Sequence, residues 1–474
     1  MRLQSLHLDV ARFRHLDLMV GLAGLGYMLA AAWAMQNVSY DIWGAFVAAP
    51  LIAAVMIPII HATFRRQPAL RRIAYAGLAA KGLGTLARYW VAFDAYGGAA
   101  DAQAYHDKGR LIAGQIRGGE VALWSLIPHG QGTRFLESLN GTLYTLVGSS
   151  KLAGFMWFSA LGFGGVLLCI KAACLAAPKA SLERYALLCC LSPSLVFWPS
   201  SLGKESWMSL SFGLLAYGSA RLFSTRQFVR PLTYVAAGTA GGVFVRPHIA
   251  AVWVGAAVTA AVWSAVGTRT DRSNSRATAA VVMAIGVAGL VLVGRIALQF
   301  LGENETSDSV GSQIDNAFDR TLRRTSGGGS QFVPSAIESP LDYPLSVLRT
   351  LTRPLPHEVT GISTLLPALE TTAIIVLAVV GARRLASLPG MLRRSPFTVF
   401  HLLVVVTGAL AYSSFSNLAI LVRQRSLLMP SLLFLLCLPP YVRPEPTMSA
   451  VHGRDDTRAP AIAAPRQQRG RVNA

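Results

Sequence analysis

Acidic and histidine side chains follow closely after the third apolar segment of the chain, where they could take part in proton transfer. Asp101 opens a polar stretch that continues to His106 and Asp107, just beyond two glycines that permit a tight exit from a helix. Asp101, Tyr105 and Lys108 are four and three residues apart, which places them on one helical face. Asp101 could therefore act as a general base toward a hydroxyl group, with His106 as a further catalytic candidate. The alternative is that Asp101 only caps a helix.

A second candidate is the adjacent pair Lys204 and Glu205, in a polar turn between two apolar segments. Neighbouring side chains of a helix point in different directions, so these two cannot face the same way. A helix beginning near Ser201 or Gly203 could also bind an anion at its N-terminus. Glu205 is thus a second candidate base and Lys204 a candidate substrate-binding group. The alternative is an ordinary turn whose charged side chains reach toward the membrane interface.

Cations at or within apolar segments form a third group of candidates. Arg246 shares a very short turn with His248, and an arginine fork can bind phosphate through two hydrogen bonds. The alternative for this turn is an interfacial anchor. Arg423 lies within the last apolar segment, where a charge costs about 2.5–3.5 kcal/mol on insertion scales. It therefore needs a partner or an aqueous cavity, and a structural ion pair with Glu370 is one alternative.

A fourth group of polar residues precedes the tenth apolar segment. Arg349 and Arg353 are four residues apart, on one face if the stretch is helical, and His357 and Glu358 follow shortly after. The group brings two cations, an imidazole and a carboxylate together within ten residues. All four are predicted to bind substrate.

The elements that position these residues are predicted to be membrane-spanning helices. The chain has 474 residues, is 53% hydrophobic and only 14% charged, against about 25% in ordinary soluble domains, and its mean hydropathy is +0.46. The bilayer must be the solvent for most of such a sequence. The predicted fold is an all-α polytopic transmembrane helical bundle of about twelve spans. The predicted spans are 17–36, 43–62, 74–92, 151–176, 184–200, 206–222, 231–245, 248–266, 277–299, 361–382, 397–414 and 417–438.

The distribution of charge predicts the orientation of these spans. Basic residues follow every even-numbered span, as in cytoplasmic loops, so both termini are predicted to be cytoplasmic in a multi-pass protein of the inner (plasma) membrane. The net charge of +20 then reflects topology and not a nucleic-acid partner. Residues 1–440 are predicted to form one transmembrane domain, with interfacial helices in two extracytoplasmic loops at about 93–150 and 300–360. Residues 441–474 are predicted to be a disordered cytoplasmic tail.

Motifs for cofactor or metal chemistry are missing from the sequence. There is no P-loop, Rossmann fingerprint, HExxH zinc motif or GxSxG elbow. The five cysteines fall within or beside apolar runs without zinc-finger spacing, so they are interpreted as small core residues. The prediction is therefore that the protein uses no cofactor and requires no metal. The alternative is that Asp101 and Asp107 hold a metal ion.

Several of these stretches resemble segments of bacterial, actinobacterial-type polytopic membrane proteins of polysaccharide biosynthesis. The layout over most of the chain is similar to GT-C membrane glycosyltransferases and to Wzy-like polysaccharide polymerases, whose catalytic polar residues lie on the extracytoplasmic face. A typical GT-C protein carries its acidic motif after the first span. Here that loop offers only Asp41, and the better candidate follows span three. The stretches that carry the resemblance are 98–106, 192–205, 246–248, 326–332 and 353–358.

The resemblance implies displacement at an anomeric carbon. The expected function is extracytoplasmic glycosyl transfer or polymerisation from a polyprenyl-(pyro)phosphate-linked sugar, in cell-envelope or exopolysaccharide assembly. Asp101 is the expected base, and Arg246, Arg353 and Arg423 are expected to stabilise the leaving phosphate, with Lys204 as an alternate. The expected partners are the lipid bilayer, a polyprenyl-linked glycan and other polysaccharide-assembly proteins.

Two other classes of function remain open. One is a transporter or flippase for a lipid-linked or anionic substrate. Transporters commonly show inverted repeats and broken helices at the midplane, whereas this sequence shows no clear repeat and its candidate residues cluster toward one face. The other is a non-catalytic scaffold of an envelope complex, which predicts that the outer arginine and acidic residues are individually replaceable.

Overall fold

Helices make up all the regular secondary structure that the computed structural model describes. It describes residues 3–98, 101–225, 227–267, 273–300, 319–323, 325–327, 330–334, 339–359 and 361–441. Within these ranges no strand forms, and one isolated antiparallel bridge joins Gln331 to Asn417. The predicted all-α class is confirmed. Apart from Tyr441, the predicted tail at 441–474 lies outside the described residues.

The α-helices are numbered in chain order. They are α1 Leu3–Asn37, α2 Tyr40–Thr63, α3 Pro68–Trp90, α4 Asp101–Arg117, α5 Thr133–Val147, α6 Lys151–Ala176, α7 Leu182–Leu191, α8 Pro193–Phe197, α9 Lys204–Ser224, α10 Val229–Val245, α11 Pro247–Gly267, α12 Ser273–Phe300, α13 Tyr343–Thr352, α14 Ile362–Val380, α15 Ala382–Leu385, α16 Leu388–Arg394, α17 Pro396–Tyr412, α18 Leu418–Arg425 and α19 Met429–Leu435. A π-turn, Val91–Ala95, extends α3, and 3-10 turns occupy Leu123–Leu126, Pro340–Asp342 and Pro356–Glu358.

Four helices of the described residues are long and apolar enough to cross a membrane. They are Asp17–Asn37 of α1, Tyr40–Thr63, Lys151–Ala176 and Pro247–Ala265 of α11. Two bent pairs raise the number to six if each is one span. These pairs are α14 with α15 and α16, bent by 70°, and α18 with α19, bent by 67°. Twelve spans therefore stay a prediction.

The predicted span 184–200 is two helices, because the chain breaks at a proline. Pro193 has no N–H and disfavours helical geometry in the residue before it, so α7 ends and α8 begins there. The buried carboxylate of Glu370 on α14 accepts hydrogen bonds from the hydroxyl groups of Ser192 and Ser194 and from the Ser194 N–H. Glu370 thus stabilises the chain between α7 and α8. Among the described residues no ion pair joins Glu370 to Arg423, contrary to the structural pair that the sequence left open.

Helices α6 and α9 pack at unusually short range in the centre of the molecule. A Cβ added at Gly165 would lie 2.1 Å from the backbone oxygen of Ser209, and one at Gly213 would lie 2.4 Å from the oxygen of Gly165. Small residues let the backbones of two membrane helices approach closely and gain van der Waals contact. This packing fixes α9, whose first turn carries Lys204 and Glu205.

The predicted outer loop 93–150 contains the helix pair α4 and α5. The side chain of Asn140 on α5 donates a hydrogen bond of 2.9 Å to the backbone oxygen of Tyr105 on α4, and both residues are buried. Leu111 and Leu146 lie on the exposed sides of this pair. An interfacial position for these helices stays a prediction.

Backbone hydrogen bonds join the described part of the predicted loop 300–360 to the start of α18. The N–H of Phe332 donates to the oxygen of Ser416, and the N–H of Leu418 donates to the oxygen of Ser330, both at 2.9 Å. The Asn417 side chain accepts from the N–H groups of Ala419 and Ile420 in the first turn of α18, as an N-cap does. The loop therefore holds the helix that carries Arg423.

Candidate functional site

Glu205 lies at the centre of a buried group of charges. The residue is buried, and its Oε1 atom accepts a hydrogen bond of 2.8 Å from Nη2 of Arg246. Arg423 binds the same carboxylate through two atoms, with Nε 2.7 Å from Oε1 and Nη2 3.1 Å from Oε2. Two guanidinium groups thus bind one carboxylate, and both of its oxygens accept hydrogen bonds from arginine.

The ends of three helices bring these side chains together. Glu205 lies in the first turn of α9, where a helix favours negative charge, and Arg246 caps the C-terminus of α10, where it favours positive charge. Arg423 lies in the last turn of α18. The neighbouring Gln424 accepts a hydrogen bond of 2.7 Å from Nη1 of Arg246, which joins α18 directly to the end of α10.

Asp101 extends this group toward solvent. Its Oδ2 lies 3.4 Å from Nη2 of Arg423, and its side chain is 60% exposed, against 3% for Glu205. Arg423 is therefore shared between a buried carboxylate and an accessible one. Asp101 has room to exchange a proton with a ligand, and Glu205 does not.

A cavity of about 290 Å³ opens beside Asp101 and Arg423. Its walls come from α3 and the π-turn, α4, α6, the 198–203 turn and α18. The lining residues are Arg88, Ala92, Tyr96, Asp101, Ala102, Tyr105, Phe155, Trp198, Ser201, Leu202, Gly203, Ala419, Ile420 and Arg423. Such a mixture of apolar and aromatic walls with a few convergent polar groups is typical of a small-molecule site.

Arg88, near the end of α3, is a functional candidate that the sequence motifs did not single out. Its guanidinium carbon lies 5.1 and 5.0 Å from the ring centres of Phe197 and Trp198. Its Nε is buried and has no hydrogen-bond partner among the described residues. The available signal was its spacing of seven residues from Lys81, which puts both cations on one face of α3.

The cavity and the charges behind it carry a net charge of +2, from four cations and two carboxylates. They are Arg88, Lys204, Arg246, Arg423, Asp101 and Glu205. Lys204 does not line the cavity, but it lies close enough to interact electrostatically with the ion-pair group. An excess of positive charge beside an arginine with an unused donor suits an anionic ligand.

Tyr105 supplies a neutral hydroxyl group to the cavity wall. Its side chain is 2% exposed, and burial, with a smaller contribution from the Asp101 carboxylate, raises its pKa to about 12. Tyr105 therefore keeps its proton at neutral pH and can donate a hydrogen bond to a ligand.

His106, a predicted catalytic residue, does not line the cavity. It lies on the other side of α4, where its Nδ1 is 2.8 Å from the hydroxyl oxygen of Tyr144 and its Nε2 is 3.8 Å from the carboxylate of Asp41. Burial lowers the pKa of His106, against the opposing effect of Asp41. Asp41 also pairs with Lys151 at 3.4 Å, so this second group joins the starts of α2 and α6 to α4.

The predicted substrate-binding group that follows α13 is also separate from the cavity. Arg353 pairs with Glu358, Nε to Oε1, at 2.9 Å, and lies 4.8 Å from the ring centre of Phe332. Arg349 and Arg353 line a different, much smaller recess of about 10 Å³ beside α18. Arg349 and Arg353 therefore border a recess separate from the cavity beside Asp101, because α18 presents Arg423 to one side and Leu421 to the other.

The two remaining histidine candidates, His248 and His357, also lie away from the cavity. His248 lies in the first turn of α11 and is absent from the cavity lining, and His357 is exposed in the 3-10 turn before α14. No group of three or more metal-binding side chains occurs in the parts of the chain that the structure describes.

Replacing Arg353 tests whether this residue belongs to the cavity beside Asp101 or only stabilises the fold. We expect Arg353→Ala to destabilise the protein by about 1–2 kcal/mol, because Glu358 loses a partly buried partner, and to leave substrate affinity unchanged. The measurement is thermal unfolding in detergent beside a functional assay in cells. Loss of function at normal protein level and stability would place Arg353 in the site after all.

Comparison with models of known protein families, with curated proteins and with solved structures gave no match to this chain.

Proposed function

We propose that this chain is a membrane enzyme that transfers or polymerises glycosyl units from a polyprenyl-(pyro)phosphate-linked donor, in cell-envelope or exopolysaccharide assembly. One observation carries the proposal. The cavity combines an accessible carboxylate, Asp101, with the arginines Arg88 and Arg423, within walls that are otherwise apolar and aromatic. Glycosyl transfer from a lipid phosphate needs both a base and a stabilised anionic leaving group.

The proposed reaction is a displacement at the anomeric carbon. Asp101 takes the proton of the acceptor hydroxyl while the hydroxyl oxygen forms the new glycosidic bond. The bond from the anomeric carbon to the phosphate oxygen breaks, and the phosphate leaves with the electron pair. Arg88 and Arg423 donate hydrogen bonds to the charge that develops on that oxygen. Tyr105 and Trp198 contribute to the walls that hold the sugar.

Glu205 and Arg246 are positioning residues in this proposal. Both oxygens of Glu205 are engaged by arginines, so it cannot serve as the second base that the sequence suggested. Its role is to hold the guanidinium of Arg423 at the cavity wall. Arg246 balances the second charge and joins Gln424 on α18.

We place the cavity at the extracytoplasmic face of a twelve-span protein with cytoplasmic termini. The four to six sufficiently apolar helices support a membrane location, and the basic residues that follow each even-numbered predicted span support the orientation. The proposed surroundings are the bilayer, a lipid-linked glycan and other polysaccharide-assembly proteins. A reporter fused near Ser330 should behave as extracytoplasmic, and a cytoplasmic signal would contradict the orientation.

A gene deletion with polymer analysis tests the function without knowledge of the sugar. The deletion strain should lose a polysaccharide and accumulate its lipid-linked precursor, and the intact gene should restore polymer length. Normal polysaccharide profiles and precursor levels in the deletion strain would overturn the proposal.

Arg88 gives the most specific test of leaving-group stabilisation. We expect Arg88→Gln to lower the rate about 100-fold, because one donor to a developing oxyanion contributes about 3 kcal/mol. Arg88→Lys should keep part of the activity, since it retains charge but not the planar fork. The measurement is the rate of polymer formation in membranes with matched protein levels. Arg110→Gln, an exposed arginine of α4, is the control, and equal effects of the two glutamine variants would contradict the role of Arg88.

Transport of a lipid-linked or anionic substrate is the second candidate, and one observation favours it. The α18–α19 pair bends by 67° beside the site, and discontinuous helices often form binding sites in transporters. A transporter would leave the donor chemically intact when reconstituted in liposomes, with the label moving between leaflets. Release of the lipid phosphate in that assay would instead support transfer.

A further inference from the structure

A second cavity, of about 140 Å³, lies between α2, α3 and α6. Most of its walls are aliphatic. The lining residues are Ala49, Ile52, Ala53, Leu78, Lys81, Gly82, Thr85, Met156, Ser159 and Ala160. The proposed reaction does not use this space.

The polar groups that line the second cavity are bonded within the protein. The ammonium of Lys81 donates to the backbone oxygen of Pro199 at 2.9 Å and to the hydroxyl of Ser200 at 3.2 Å. The hydroxyl of Thr85 donates to the backbone oxygen of Lys81, and that of Ser159 donates to Ser200. A cavity whose polar groups are already bonded offers apolar surface to an occupant, and apolar cavities take apolar ligands.

The two cavities follow one another along the same pair of helices. On α3, Thr85 lines the second cavity and Arg88 lines the first, three residues and about 4.5 Å further along the axis. On α6, the adjacent residues Met156 and Phe155 line the second and the first cavity, respectively. A charged cavity therefore adjoins an apolar one, which matches the two ends of an amphiphile.

The second cavity reaches the surface of the bundle at Gly82. This glycine is exposed, and a Cβ added there would meet no atom within 4 Å. Leu83 and Leu86 on α3 and Val55 on α2 are exposed near this opening. Such a surface is suited to lipid tails, so a hydrocarbon chain can enter from the side without crossing water.

We propose that the second cavity holds the part of a lipid's hydrocarbon chain next to its phosphate group, and that this phosphate lies at Arg88 in the first cavity. The rest of the chain extends into the bilayer between α2 and α3 at Gly82, and the phosphate meets the guanidinium of Arg88 at the cavity wall. The inference rests on the proposed function in one respect, namely that the ligand of the first cavity is a lipid-linked phosphate.

Photo-labelling of the full chain in phosphatidylcholine nanodiscs tests this site directly. The probe is hexadecyl phosphate with a diazirine in the middle of its chain, and labelled residues are identified by peptide mass spectrometry. We expect label on Leu78 and Met156, and we expect Gly82→Leu to lower it about tenfold because the added side chain fills the space of several methylenes. The matched control is Gly24→Leu on α1, another helical glycine with open space around it, which should leave this label unchanged.

A competition measurement on the unaltered protein makes the test independent of how the variants fold. Unlabelled hexadecyl phosphate should displace the label at Met156 at least tenfold more effectively than hexadecanol, and Arg88→Gln should abolish that difference. Label confined to α1 and other lipid-exposed helices, or equal competition by the alcohol, would overturn the inference.

The same samples separate this inference from the proposed function. Specific label at Leu78 and Met156, together with a normal polysaccharide in the deletion strain, would retain the lipid site and reject glycosyl transfer. If the deletion strain loses a polysaccharide but Gly82→Leu leaves the amount of label unchanged, the lipid site is rejected and the proposed enzyme activity is retained.

Discussion

Asp101→Asn is expected to lower the rate of polymer formation by about 10²- to 10⁴-fold without unfolding the protein. The amide keeps the shape of the carboxylate but cannot accept a proton from the acceptor hydroxyl, and general bases contribute about that much to a rate. Asp101 is mostly exposed and its contact with Arg423 is 3.4 Å, so its loss should cost little stability. The measurement is complementation of the deletion strain with protein levels checked in membranes.

Asp107→Asn is the matched control for this prediction. Asp107 lies on the same helix, six residues further along, and its carboxylate accepts hydrogen bonds from the exposed side chain of Gln103, at 2.9 and 2.8 Å. We expect this variant to restore full-length polymer. Full activity of Asp101→Asn would remove Asp101 from the mechanism and favour the transporter or the scaffold.

Glu205→Gln is expected to destabilise the protein by about 3–5 kcal/mol and to abolish activity. The substitution leaves Arg246 and Arg423 facing a neutral amide in a buried place, and an unpaired buried charge is costly. Arg423 also loses the bidentate partner that holds it at the cavity wall. The measurement is thermal unfolding of the purified protein in detergent, with Glu183→Gln, an exposed glutamate of α7, as the control.

A double variant separates the electrostatic cause from a packing defect. Adding Arg246→Met to Glu205→Gln removes one of the two unpaired cations and keeps an apolar side chain of similar length. The double variant should therefore be more stable than Glu205→Gln alone, since residues in one ion-pair network are not additive. Additive destabilisation would mean that Glu205 acts through packing and not through its charge.

Local composition was sufficient to predict the class of fold and the residue types of the site. Apolar runs and a 14% charged fraction are sufficient to predict helices in a bilayer, because hydropathy depends on local composition. The rarity of charge at or beside such runs also singled out Asp101, Glu205, Arg246 and Arg423, since an ionisable residue there is expensive unless it has a partner or a function. These four residues form one connected group in the structure.

Which of these charged side chains pair with one another depends on the packing of helices that are distant in sequence. Arg423 pairs with Glu205, 218 residues away, and not with Glu370, which holds the break before α8. Spacing along one helix cannot reveal such partners, because they depend on how distant helix ends pack. The same reason explains why His106 and Arg353 looked equivalent to Asp101 in sequence, although other elements separate them from its cavity. Arg88 shows the converse, since no sequence motif singled it out and its place at the cavity wall depends on two aromatic rings from another part of the chain.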